Sequence, residues 1–133
     1  MHYHGIGEGL GSSEANFRTA LDVAGQRQDE LWIAGMADIH KYQTERNAAR
    51  LRLVKSDTKS LVFQLDCATD TALYDQPLTL ELTPPAAWGG SSITITREGG
   101  IPVATERDPD AERDLLRFEV PPVSGAYAVR IAE

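Results

Sequence analysis

Leu51-Arg52-Leu53-Val54, the turn pair Asp57-Thr58, and Leu61-Val62-Phe63-Gln64-Leu65 are two apolar segments of strand length around one polar turn. That stretch decides how the rest of the chain is read. Short apolar runs bounded by turn residues are the signature of antiparallel strands. Toward the carboxyl end the same grammar continues. Leu78-Thr79-Leu80-Glu81-Leu82 alternates apolar with polar in strict order, which places its three leucines on one face of a strand. Ile93-Thr94-Ile95-Thr96 and Ile101-Pro102-Val103 flank Gly99-Gly100, as in a hairpin whose second strand is held to an edge by its proline. Leu115 to Val120 and Tyr127 to Ile131 complete a set of seven strands. The expectation for residues 51–133 is an antiparallel, immunoglobulin- or fibronectin-like β-sandwich.

Toward the amino end the hydrophobic period changes near Ala49-Arg50. Ser12-Ser13 offers a helix cap, and Phe17, Ala20, Leu21 and Ala24 recur at helical spacing before Gly25. Leu31-Trp32-Ile33-Ala34 reads as a short buried strand with Trp32 in a core. A second helix is predicted from about Met36 to Ala49, with Met36, Ile39, Tyr42 and Ala49 as its apolar stripe and Lys41, Glu45 and Arg46 on a solvated face. The first residues, His2-Tyr3-His4-Gly5-Ile6-Gly7-Glu8-Gly9, read as a strand end breaking into a glycine-rich loop. Two strands are too few for a stable parallel sheet. The expected fold class is therefore α+β, with an incomplete α/β segment over residues 1–50 followed by the sandwich.

Length and charge restrict the function. The 133 residues are 41% hydrophobic and 25% charged, enough for one domain or a small domain with an appendage. Thirteen basic against 20 acidic residues leave a formal net charge of −7, which argues against nucleic acid as a partner because phosphate neutralisation needs a concentrated basic surface. No apolar run approaches the ~20 residues of a membrane span, and the amino end lacks signal-peptide features. The expectation is a soluble chain of unassigned compartment. Cys67 stands alone and reads as a small buried residue at a strand end. Gly5, Gly7, Gly9 and Gly11 lack the Gly-Lys-Ser/Thr ending of a phosphate loop.

His4-Gly5-Ile6-Gly7, Phe17, Leu31-Trp32-Ile33-Ala34, Asp38-Ile39-His40-Lys41-Tyr42 and Arg46 together resemble the closing segment of NodB-type polysaccharide deacetylases. In that family a late barrel strand ends in a catalytic histidine, a further strand and helix finish the barrel, and some members continue into a β-sandwich. The resemblance covers residues 2 to 50 and makes His4 the match for that histidine, as a relic or part of a site. The family's aspartate base and Asp-His-His metal triad belong to strands that precede this point. No metal ligand set is therefore assigned, and no cofactor is expected; a divalent ion such as zinc would enter only if another chain completed the site. His2 and His4, with Glu8 or a second chain, remain an alternative metal pair, although a stable zinc site wants three or four ligands.

Two aromatic residues are candidates for sugar binding. Trp88 follows Pro84-Pro85 and precedes Gly89-Gly90 in a loop; exposed, it would stack on a sugar ring, and buried, it would plug the end of the sandwich. Tyr74 is the second candidate. Asp108, Asp110, Glu112 and Asp114 lack the glycine and terminal glutamate of a calcium loop and read as a solvated turn. The expected function is a non-catalytic, accessory or carbohydrate-binding module of a deacetylase-like protein. The alternative is part of a metal-dependent deacetylase that works only with a missing domain or partner chain. An uncovered sheet edge near His2 to Ile6 would make the protein a homo-oligomer or an associate of such a domain.

Overall fold

The computed structural model describes residues 4–7, 11–107 and 114–132. The chain divides into two compact units, Met1–Gly35 and Met36–Glu133. The first holds one helix, α1 (Glu14–Gln26), started by Ser13, whose hydroxyl accepts the Asn16 N–H at 3.2 Å. Arg18 adds an ion pair to Glu14 one turn back at 2.8 Å. Before the helix, Ser12 donates its N–H to the Gly5 carbonyl and accepts the Gly7 N–H, closing a small loop. A side chain at Gly11 would meet the Gly5 oxygen at 3.0 Å, so any larger residue would have to push this closure open by a few tenths of an ångström. The predicted strand at residues 31–34 is not formed. Leu31, Trp32 and Ile33 are instead exposed in irregular backbone, Trp32 at 51%. A lone apolar run has no ladder partner here, and hydrophobicity by itself does not make a strand.

Among its described residues the second unit carries α2 (Met36–Ala48) and eight strands: β1 (Arg50–Ser56), β2 (Ser60–Asp66), β3 (Leu78–Leu82), β4 (Ile93–Arg97), β5 (Ile101–Val103), β6 (Thr105–Arg107), β7 (Leu116–Val120) and β8 (Gly125–Ile131). They form two antiparallel sheets, a five-stranded one in the order β1-β2-β8-β4-β5 and a three-stranded one in the order β3-β7-β6. The class is α+β, as expected. Seven strands match the sequence reading, and β6 is added. It continues β5 past Ala104 and changes sheets there, a corner of the kind that joins packed sheets. Pro102 lies on the edge strand β5, where its missing N–H removes no bond to a further strand. Gly99 and Gly100 turn the β4–β5 hairpin with φ of 84° and 78°, a region that other residues rarely adopt.

One core joins the sheets. Leu65 of β2, Ile95 of β4, and Tyr127 and Val129 of β8 meet Leu78 of β3 and Phe118 and Val120 of β7. Phe63 stacks on Tyr127 with ring centres 5.1 Å apart and tilts against Phe118 at 6.3 Å, linking one sheet to the other. Three strands do not cover five, and β1 is left exposed along its whole length. A register shift between Leu53 and Lys55 interrupts this edge, which hinders pairing with a further strand.

Candidate functional site

Trp88 is 1% exposed, in a short 3-10 turn (Ala86–Trp88) that feeds the ring into the core. Its indole N–H donates to the Thr58 carbonyl at 2.8 Å. Of the two readings of this residue, the plug is the one observed, and an exposed sugar platform at Trp88 is corrected. Burial satisfies both ends of the side chain, the ring by packing and the N–H by the β1–β2 turn. Tyr74 lies half-buried, its ring 6.4 Å from that of His40 on α2. The two aromatics thus lean on different elements, Trp88 on the turn at Thr58 and Tyr74 on α2.

The segment between β2 and β3 is tied to α2 by polar contacts. Lys41 Nζ reaches Asp75 Oδ1 at 2.6 Å, and the Gln76 N–H donates to Glu45 Oε1 at 3.0 Å. Glu45 is fully buried, so its placement on a solvated face is corrected. It shares the stripe of Tyr42 and Ala49, three residues after one and four before the other, and both of those pack against the core. Its second oxygen has no hydrogen-bond partner. Burial raises the carboxyl above its usual range, and Asp75 adds to this, while the Gln76 N–H and Lys41 oppose it. Cys67, half-buried just past β2, exchanges bonds with Ser124: its N–H donates to Ser124 Oγ at 3.0 Å and its carbonyl accepts that hydroxyl at 3.3 Å.

His4 belongs to the first unit and is exposed. His2 and Glu8, its suggested partners for a metal, lie outside the described residues, as do Asp108, Asp110 and Glu112 of the acidic run that ends at Asp114. Among the described residues no three His, Cys, Asp or Glu side chains converge on a common point for a cation. No described helix is long and apolar enough to cross a membrane.

A cavity of about 620 Å³ opens in the second unit beside β5 and β7. Arg97 and Tyr127 line it together with Phe118, Val103 and Pro102. Arg97 is directly opposite Tyr127 across the β4–β8 ladder, as Phe63 is across β2–β8, so the three share the inner face of the large sheet. Arg97 follows Ile93 and Ile95 on that face, where apolar residues are the rule. The Tyr127 hydroxyl is buried and has no hydrogen-bond partner. Desolvation raises its pKa, opposed by the nearby Arg97 charge. Sequence reading did not single out this pair: Arg97 lies just past the Ile93-Thr94-Ile95-Thr96 segment it marked, and Tyr127 entered only as the start of the last strand. The available signal was the register, Ile93-Thr94-Ile95-Thr96-Arg97, which puts a cation in phase with two core isoleucines.

No known protein-family profile matches the chain, and no solved structure does. A gellan lyase of a Bacillus species is 31% identical over 94 residues, which is 71% of this chain but 4% of the length of that relative. The chain is thus similar to one small stretch of a far longer protein.

Proposed function

We propose that the second unit is an accessory carbohydrate-binding module of a polysaccharide-active protein. The observation that carries this reading is the similarity to a twenty-fifth of a gellan lyase, a stretch of the size of one domain within an enzyme whose name gives a polysaccharide substrate. Two packed antiparallel sheets suit that role, since such sandwiches present edges and loop clusters to ligands while the core stays fixed. The module's two antiparallel sheets, of five and three strands, are compatible with the immunoglobulin- or fibronectin-like plan read from the sequence. Its strand order is its own, because the last strand, β8, runs through the middle of the larger sheet.

The resemblance of residues 2–50 to deacetylases supports the same ligand class by another route, with His4 as the residue it would place at a reacting sugar. The irregular backbone at residues 31–35 lacks the closing barrel strand which that resemblance calls for. The deacetylase reading therefore ranks second. Affinity electrophoresis tests the primary one: the protein is run through native gels containing gellan, polygalacturonate or neutral glucans. Slowed migration in at least one gel relative to a polysaccharide-free gel is the expected result. Unchanged mobility in every gel would remove the carbohydrate reading. Zinc uptake by the full chain together with acetate release from an acetylated oligosaccharide, lost in His4→Ala, would instead favour the second.

A further inference from the structure

We infer that the cavity beside β5 and β7 binds a carboxylate-bearing sugar, a uronic acid unit of a polysaccharide, with Arg97 and Tyr127 as its anchors. This rests on the carbohydrate reading and names the ligand class within it.

Arg97 is the starting point. A cation on the inner face of a sheet has to be offset by a partner, because moving charge out of water is costly. Among the described residues Arg97 forms no ion pair. An inward charge is also used to spoil an exposed sheet edge, but β4 is paired on both sides, to β8 and β5, and has no edge to protect.

Gly125 makes room for it. Gly125 is buried on the same face of β8 as Tyr127, two residues away. Its φ is not among the positive ones, so conformational freedom does not explain a glycine there. A methyl group at 125 would lie 3.3 Å from Arg97 Nε and 3.6 Å from Nη2. Glycine inside a strand commonly marks such a close approach. The missing side chain is the slot in which the guanidinium lies, near enough for its charge to act on the unpartnered Tyr127 hydroxyl.

The chemistry of the lining then selects the ligand. A guanidinium presents a planar fork of donors that matches a carboxylate, and a phenol adds one more donor to the same anion. Phe118, Val103 and Pro102 supply an apolar wall for the C–H face of a sugar ring. The volume falls in the range of about 300–1,000 Å³ common to small-molecule sites. At the rim the charges are offset: Arg117 bonds Glu81 at 2.9 Å and stands opposite Glu106 across the β6–β7 ladder. Glu119 also lines the rim, which disfavours anions that cannot reach Arg97.

The test is an NMR titration of the full-length chain with trigalacturonate, cellotriose and sodium sulfate, read at the backbone amides of Arg97, Val103 and Gly125. Trigalacturonate is expected to shift these amides and the other two probes to leave them in place. Arg97→Gln is expected to weaken binding about tenfold or more and Tyr127→Phe about threefold, the losses typical of a charged and a neutral hydrogen bond. Gly125→Ala should weaken it as well by displacing the guanidinium. Circular dichroism checks that each variant is folded, and Tyr127→Phe keeps the ring that the core needs. Equal shifts with cellotriose, or unchanged affinity in Arg97→Gln, would overturn carboxylate recognition while leaving a carbohydrate module in place. Equal shifts with sulfate would reduce the site to a general anion pocket and overturn it too. Retention on polysaccharide gels without any shift at these amides would show that sugar binds elsewhere, whereas absence of both would sink the carbohydrate reading itself.

Discussion

Glu45 and Tyr127 each keep one buried polar atom without a partner, and their consequences for stability differ. The folded pKa of Glu45 is raised chiefly by burial. The native state therefore holds its proton at a pH where the unfolded chain has already released it, and the slope of stability against pH is negative in that window. Stability associated with Glu45 is full below its ordinary pKa and is lost as pH rises through the raised value. Glu45→Gln keeps an acceptor for the Gln76 N–H and carries no charge. We predict that it melts higher than wild type at pH 8, by an amount corresponding to about 1 kcal/mol, and that the gain disappears at pH 4. Thermal melts at the two pH values check this; a gain of equal size at both would show that ionisation is not the cause. At Tyr127 the orphan is a neutral hydroxyl. Its removal in Tyr127→Phe leaves the stack on Phe63 intact, and ligand-free stability is expected to hold or to rise by up to about 1 kcal/mol in urea unfolding. The same substitution that weakens ligand binding would then leave the fold at least as strong, which separates a binding role from a structural one.

The β1–β2 hairpin, whose sequence opened the reading, is fastened by one side chain. Asp57 Oδ1 accepts the N–H groups of Lys59 and Ser60 at 2.9 and 2.7 Å, and its Oδ2 accepts the Ser60 hydroxyl at 2.8 Å. These bonds, led by the Lys59 N–H, lower its pKa from 3.8 to about 2. Here the sign is opposite to that of Glu45. The contribution is present above the unfolded pKa and is lost as pH falls from 3.8 toward about 2. Asp57→Ala should melt below wild type at pH 7, and the gap should close across that acid window. A gap that persists at pH 2 would mean that the turn depends on Asp57 through something other than its charge. The strands around this turn were legible because alternation and turn residues act locally: β3 and β5 have the bounds that their patterns mark, Leu78–Leu82 and Ile101–Val103. β6 was not legible because Thr105-Glu106-Arg107 has no apolar phase and exists through pairing with β7. Leu31–Ala34 failed in the opposite direction, with the composition of a strand and no partner. Glu45 was misassigned by residue type and Arg97 was passed over, although their positions, in phase with Tyr42 and with Ile95, pointed inward. Phase is the better guide to orientation, and charge the better guide to what the position does.

At the scale of the whole molecule, the division into two compact units predicts separate folding. The buried cluster that joins the sheets draws all its members from residues 65–129, within the second unit. A unit of this size buries enough surface to fold alone. Trp88 provides the readout. The chain has two tryptophans, Trp32 and Trp88, so residues 36–133 produced by themselves retain only the buried one. Emission from that polypeptide should be blue-shifted in buffer and should move to the red in one cooperative step with urea, because the indole leaves the core and loses its bond to the Thr58 carbonyl together with the sheets. The full-length chain, with Trp32 half exposed in the first unit, should start further to the red and show the same transition midpoint. Trp88→Phe keeps a ring but leaves the Thr58 carbonyl without its donor, and the midpoint should fall by an amount corresponding to about 1 kcal/mol, whereas Trp88→Ala should cost about 3–5 kcal/mol through the cavity it opens. A non-cooperative transition of residues 36–133, with a cooperative one in the full chain, would show that the first unit is required for the sheets to close on their core. The proposed carbohydrate-binding role would then have to be tested on the whole chain, and the cavity at Arg97 only there.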